Sequence, residues 1–317
     1  MTTGNSSMVE LVTAYLALRR GLGYSLRVQG WLLLDFARYA DWTGHQGPVT
    51  IELATQWATM SGASPASIAQ RLSVVRQFTR HRVAFEPETE IPPVHLLGCP
   101  IRRKSPHIYS DTEFAELLRV AGTLRPRGGL RSHTYIALFS LLASTGLRIS
   151  EARHLKRHDL DLDNGLMVIR ETKFRKSRIV PLHSTTVTAL QCYISIRDSF
   201  FESIQSEFFF STDRAAFLGK RAVESTFCYL RTRLGWTVQG RARRPRIHDI
   251  RHTFAVRCLL NWYKKGADID KKIFALSTYL GHAKITDTYW YLSAVPELLA
   301  ITSRRFEHFA QHEWEDV

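Results

Sequence analysis

The sequence predicts a mainly α protein of two domains: an all-helical first domain, then a mixed α+β domain with one small antiparallel sheet. Three observations predict it. Apolar residues recur at steps of three and four along most of the chain, the period of a helix. Only two runs, 166–170 and 177–182, have strand character, and a polar turn joins them. Five prolines, Pro87, Pro92, Pro93, Pro100 and Pro106, fall within 86–109, which reads as a linker between domains at 1–85 and 110–317.

Four helices account for residues 7–83. Ser7 can cap the first, which carries Val9, Val12, Tyr15 and Leu16 and ends at Gly21 and Gly23. Ser25 can cap the second, with Trp31, Leu34, Phe36 and Tyr39 as its apolar face and Gly44 as its stop. Thr50 precedes the third. Ser64-Pro65 gives the fourth a cap followed by proline at the first helical position. Nothing in this domain looks catalytic. Past the linker, Ser110-Asp111-Thr112-Glu113 fits a capping box and opens a new amphipathic helix. A buried helix runs from Thr134 to Thr145 and closes at Gly146, and a further one starts around Arg148. There Glu151 can orient the Arg148 guanidinium or cap the helix. Asp163-Asn164-Gly165 is a turn before the first strand, and Thr172–Lys176 is the turn between the strands. Helices follow at 185–200 and 221–234, with Phe208-Phe209-Phe210 buried between them. Others run from about His248 to Tyr263, over 270–279, and from Pro296 onward.

A chain of 317 residues fits about two domains. Its charge is unusual: the net is +14, and residues 1–100 hold 8 Arg against 7 acidic residues, leaving +13 on the remainder. Such an excess points to a polyanionic partner held mainly by the second domain. Residues 1–5 carry no signal peptide, and the longest apolar stretch, 134–147, is too short to span a bilayer. Cys99, Cys192, Cys228 and Cys258 are isolated, without the spacing of a zinc site or a disulfide framework, so a reduced cytoplasmic protein is expected.

Arg148, Lys173, His248, Arg251, His282 and Tyr291 are the candidates for chemistry. His248 and Arg251 share a helix face while Ile247, Ile250 and Phe254 fall on another. Together the six suit metal-free phosphodiester transesterification. A tyrosine attacks, two guanidiniums offset charge on the phosphoryl oxygens, histidine moves the tyrosine proton and lysine protonates the leaving oxygen. Basic residues at Arg102, Arg103, Lys104, Arg175, Lys176, Arg241, Arg243 and Arg244 could lie along a nucleic-acid backbone, or be solvated.

The motifs resemble those of the tyrosine recombinases, the phage integrase, Xer and Cre family. Thr145-Gly146-Leu147-Arg148-Ile149-Ser150-Glu151 resembles the first-arginine box. Thr172-Lys173, with Arg178-Ile179-Val180-Pro181-Leu182, resembles the hairpin lysine motif, where Lys173 rather than Lys176 has the family spacing from Arg178. His248-Asp249-Ile250-Arg251-His252-Thr253-Phe254-Ala255 is similar to the His-x-x-Arg box. Leu280-Gly281-His282, followed by Thr288 and Tyr291 at six and nine residues, is similar to the nucleophile box, and that spacing selects Tyr291 over Tyr289. The resemblance spans about 110–310. It implies a core-binding first domain and a catalytic second domain clamped around duplex DNA, and a site-specific recombinase working through a 3′-phosphotyrosyl link and a Holliday junction. It implies no metal or cofactor, assembly as a homotetramer or a heterotetramer with a related recombinase, and a place at the nucleoid in the cytoplasm. With no arm-binding segment before residue 7, a simple Xer- or transposon-type enzyme is expected. A type IB topoisomerase or a non-cleaving DNA-binding accessory are the alternatives. Leu299, Thr302, Phe306 and Phe309 form a stripe on the terminal helix that could pack on its own domain or dock on a neighbouring protomer.

Overall fold

Short polar side chains set three of the four helix starts of the N-terminal region. The computed structural model describes residues 7–60, 62–97, 105–170, 177–201, 206–237, 244–282 and 284–294. The chain divides into two compact units, Met1–Arg103 and Lys104–Val317. Ser7 Oγ accepts from the Glu10 amide, and Glu10 accepts in return from Ser7 N, opening α1 (Met8–Gly21). Asp41, near the end of α2 (Arg27–Trp42), accepts from Met8 N at 2.7 Å and from Val9 N, so two more orphan amides of α1 are satisfied from a neighbouring helix. Thr50 and Ser64 cap α3 (Ile51–Thr59) and α4 (Pro65–Arg82), with Pro65 at the first helical position. The four helices bury one core that includes Val12, Leu16, Leu33, Phe36, Trp57, Val75 and Phe78.

Two expectations for α2 are corrected. Its N-cap is Leu26 in the left-handed region, without a side-chain cap bond, so Ser25 does not open it. The buried stripe is Leu33, Phe36, Ala37 and Ala40, the 3.6-residue period, and Trp31 lies two residues (about 200°) from Leu33 and is 61% exposed.

In the second unit, the Ser110–Glu113 capping box opens α5 (Asp111–Ala121). The central helix, α6 (Leu130–Thr145), is buried over most of its surface and packs against α5, α8 (Ser184–Phe200), α10 (Ile247–Lys264) and the short α7 (Ile149–Arg153). Around them lie α9 (Lys220–Arg233), α11 (Ile269–Leu280) and α12 (Thr286–Ala294). The sheet is three-stranded and antiparallel in the order β1 (Leu160–Asp161), β2 (Leu166–Ile169), β3 (Arg178–Pro181). The two-residue β1 is too short to leave a sequence pattern. In the β2–β3 register Leu166 pairs with Pro181 and Ile169 with Arg178. Phe209 and Phe210 are buried as expected, whereas Phe208 is only half-buried.

Part of the positive charge of this unit is internal. Arg153 and Arg197 are buried, donating to the Leu218 carbonyl at 2.6 Å and the Phe209 carbonyl at 2.7 Å. These two arginines hold loops, and the charge excess overstates what faces a partner. Cys192, Cys228 and Cys258 are free thiols, and among the described residues no helix is long and apolar enough to cross a membrane. Cys99 and the helix expected from Pro296 lie outside the described residues.

Candidate active site

The site is organised around the C-terminus of α11. A helix leaves its last four carbonyls without helical partners. Here the Gly281 amide donates to the Thr278 carbonyl and the His282 amide to the Ser277 carbonyl, a Schellman turn with Gly281 at φ 67°. The next three carbonyls each receive an arginine. Arg178 Nε donates to Tyr279 O, Arg251 Nη2 to Leu280 O and Arg148 Nη2 to Gly281 O, all at 2.7 Å. The partial negative charge of the helix end suits three cations there.

Each arginine comes from a different element. Arg148 is the N-cap of α7; Glu151 in the first turn accepts from Arg148 N at 3.0 Å and from Arg148 Nη1 at 2.8 Å, so it both caps the helix and orients the guanidinium. Arg251 projects from the second turn of α10, is 2% exposed, and also donates to Gly146 O at 2.8 Å. Burial and then the charge of Arg148 lower its pKa to about 10, so it remains a cation at neutral pH. Arg178, at the start of β3, grips Glu151 with two bonds, Nη1 to Oε1 at 3.2 Å and Nη2 to Oε2 at 2.8 Å. Burial would raise the Glu151 pKa, but Arg178 and Arg148 together outweigh it and hold the carboxyl ionised, below its ordinary value.

Two imidazoles border this cluster. His248 keeps an exposed edge; burial of its inner side, then Arg251 and Arg246, push its pKa down to about 4. His282 follows the Schellman turn, its Nδ1 2.7 Å from the hydroxyl of the fully buried Thr288 on α12. Burial, then Arg251 and Arg148, likewise push it to about 4. Both rings are therefore neutral near pH 7 and able to accept a proton. Tyr291 is 2% exposed; its ring lies 6.2 Å from that of His282 and 5.4 Å from that of His252. Tyr289 is 42% exposed.

The fold thus brings together Arg148, Glu151, His248, Arg251, His282 and Tyr291. Lys173, Arg175, Lys176, Arg102, Arg103, Lys104, Arg241 and Arg243 lie outside the described residues, and Arg244 is exposed just before α10. A cleft of about 760 Å³ opens beside Arg148, lined also by His154, Lys156, His158 and Arg170. Among the described residues no three His, Cys, Asp or Glu side chains converge as metal ligands would. Sequence reasoning used Arg178 only as a spacing marker. The signal it missed is the two-residue alternation of β3, where Arg178 shares the inward face with buried Val180 while Ile179 is 63% exposed.

Comparison with known proteins agrees with this architecture. Residues 113–297 match the phage integrase family. "Putative integrase/recombinase y4rB" of Sinorhizobium fredii is 39% identical over 98% of this chain and 99% of its own length. Tyrosine recombinase XerA of Thermococcus kodakarensis is 27% identical over 93% of each chain. The solved Tn1549 transposon integrase in complex with transposon right end DNA shares the fold, with a TM-score of 0.71 over 96% of this chain and 100% of that one at 16% identity. The chain belongs to the phage integrase family, the tyrosine recombinases, enzymes that break and rejoin DNA strands.

Proposed function

We propose that this chain recombines duplex DNA at a specific site, with Tyr291 as nucleophile. The Tyr291 oxygen attacks the scissile phosphorus, the bond to the 5′ oxygen breaks, and a 3′-phosphotyrosyl ester forms whose energy allows later rejoining. Arg148 and Arg251 offset the charge growing on the non-bridging oxygens. A neutral His248 or His282 takes the phenol proton, and an arriving phosphate, being anionic, raises the imidazole pKa and favours that transfer. Lys173 protonates the departing 5′ oxygen. The register of β2 and β3 supports this role, because Arg178 at the base of the turn bonds Glu151. A 5′-hydroxyl from the partner duplex then reverses the step, giving a Holliday junction. The 1–85 helical domain, the 86–109 linker and the 110–317 catalytic domain clamp the DNA, and Arg102, Arg103, Lys104, Arg175, Lys176, Arg241, Arg243 and Arg244 contact its backbone. Four subunits assemble on two synapsed sites, as a homotetramer or with a related recombinase.

The observation that carries this reading is the convergence of two histidines and a buried tyrosine on the arginine-capped end of α11. Covalent capture on supercoiled plasmids carrying genomic fragments, followed by sequencing of the trapped DNA, tests it. The full chain and Tyr289→Phe should trap one recurring site, and Tyr291→Phe none. Adducts from Tyr291→Phe would overturn the assignment, and relaxation without site preference would point to a topoisomerase.

A further inference from the structure

Glu151 sits in an unexpected place: a carboxylate bonded directly to a guanidinium that is meant to face a phosphate. An Arg148–Glu151 pair by itself is close to neutral and offers little to an anion. The same carboxylate, however, carries a second guanidinium. Arg178 takes both of its oxygens, has a side chain only 14% exposed, and donates its Nε to Tyr279 O. Two arginines on one glutamate leave a net single positive charge, and Arg148 is the member of the trio with the more exposed side chain, 23% against 14%.

We propose that Arg178 is a positioning residue that takes up the charge of Glu151, so that Glu151 orients Arg148 without quenching it. This rests on the reading that Arg148 faces the scissile phosphate. Glu151 then supplies geometry, Arg178 supplies the balancing charge, and Arg148 is held in place and still cationic. Ionisation of Glu151 despite its burial agrees with this division. The end of α11 fixes the spacing, because a Cβ on Gly281 would stand 3.1 Å from Arg178 Nη1 and 3.5 Å from Arg148 Nη1. Arg178 Nε on Tyr279 O and Arg148 Nη2 on Gly281 O, both at 2.7 Å, tie the two guanidiniums to carbonyls two residues apart.

The test is single-turnover formation of the covalent adduct on a nicked duplex carrying the captured site. A parallel duplex carries a methylphosphonate at the scissile position, where one charged oxygen is replaced by a neutral methyl. Arg178→Met should slow adduct formation on the ordinary phosphate by about 10–100-fold, approaching the loss of one preorganised donor. Arg178→Lys, which keeps the charge, should stay within about threefold, and Glu151→Gln added to Arg178→Met should recover most of the rate. On the methylphosphonate, Arg178→Met should change the rate by no more than about twofold, because there is less charge to offset. A structural role alone would slow both substrates equally and would not be rescued by Glu151→Gln; that pattern, or an Arg178→Lys variant as slow as Arg178→Met, overturns the proposal. If Arg178→Met does not fold, the Arg178→Lys result and the double variant decide. A wild-type rate for Arg148→Ala would instead overturn the underlying reading, whereas a slow Arg148→Ala beside an unimpaired Arg178→Met sinks only this inference.

Discussion

Helices α2 and α11 end in the same turn and come to different uses. In α2 the Gly44 amide donates to Asp41 O and the His45 amide to Ala40 O; in α11 Gly281 and His282 repeat this pattern on Thr278 and Ser277. The glycine angles agree, φ 69° and 67°, and a histidine follows in both. Around Gly44 a Cβ would meet nothing within 4 Å, and the Ala40 carbonyl is shared with the neighbouring Thr43 hydroxyl. Around Gly281 three guanidiniums from α7, α10 and β3 occupy the carbonyls that follow. A local motif makes a helix end, and side chains from distant segments turn one such end into a cationic pocket. The chemistry lies in the second step.

Replacing each glycine by alanine separates the two steps, and this is where the largest effect should appear. Both variants force a left-handed residue to carry a Cβ, at about 1–2 kcal/mol of stability. Gly44→Ala should lose that much in urea unfolding and cleave normally. Gly281→Ala should lose a similar amount and in addition form the covalent adduct about 10²-fold more slowly, because its Cβ would crowd Arg178 Nη1 at 3.1 Å and, through Glu151, disturb Arg148. Equal cleavage by the two variants would mean the arginines tolerate displacement and that α11 is no more than a scaffold.

This division also explains what could be read from the sequence. The caps Ser7, Thr50, Ser64 and Ser110 act within three residues of themselves, so composition reveals them. Arg148, His248, Arg251, His282 and Tyr291 and the β2–β3 pair were legible through spacing and order, while Lys173 lies outside the described residues. Arg178 was not, because Ile179 looks like the core residue and Arg178 like the surface one, and only the pairing of β3 with β2 reverses that. Nor were the arginine-to-carbonyl bonds, which join residues 29 to 133 positions apart and have acceptors without side-chain identity. The register of α2 failed for a simpler reason: Trp31 is apolar but sits off the 3.6-residue stripe of Leu33, Phe36, Ala37 and Ala40.

Two threonines extend the comparison at smaller scale. Thr43 closes the end of α2, while Thr288 holds His282 at the end of α11. Thr43→Val should cost no more than about 1 kcal/mol and leave cleavage unchanged. Thr288→Val should cost a comparable amount and slow adduct formation roughly tenfold, since an imidazole freed to rotate moves a proton less well. Stopped adduct assays on the captured site measure this, and an unimpaired Thr288→Val would remove His282 from the proton path.

The smallest effect concerns the charge state of His282. Burial and two arginines hold its folded pKa at about 4, against about 6.5 for an unfolded histidine, so between those values the unfolded chain binds more protons. Stability therefore falls as pH drops through that window, and the loss is complete only below pH 4. Other carboxyls and histidines titrate in the same range, so the signal must be a difference. Relative to His282→Gln, which keeps an acceptor for the Thr288 hydroxyl, the wild type should lose about 0.7 kcal/mol of its advantage between pH 7.5 and pH 5.5. That is half the 1.36 kcal/mol that one pH unit below 6.5 could supply, reduced because the ring is partly exposed. Urea unfolding of both proteins at the two pH values measures it. A gap that stays constant, or widens toward acid, would mean that the guanidiniums at the end of α11 do not hold the imidazole neutral.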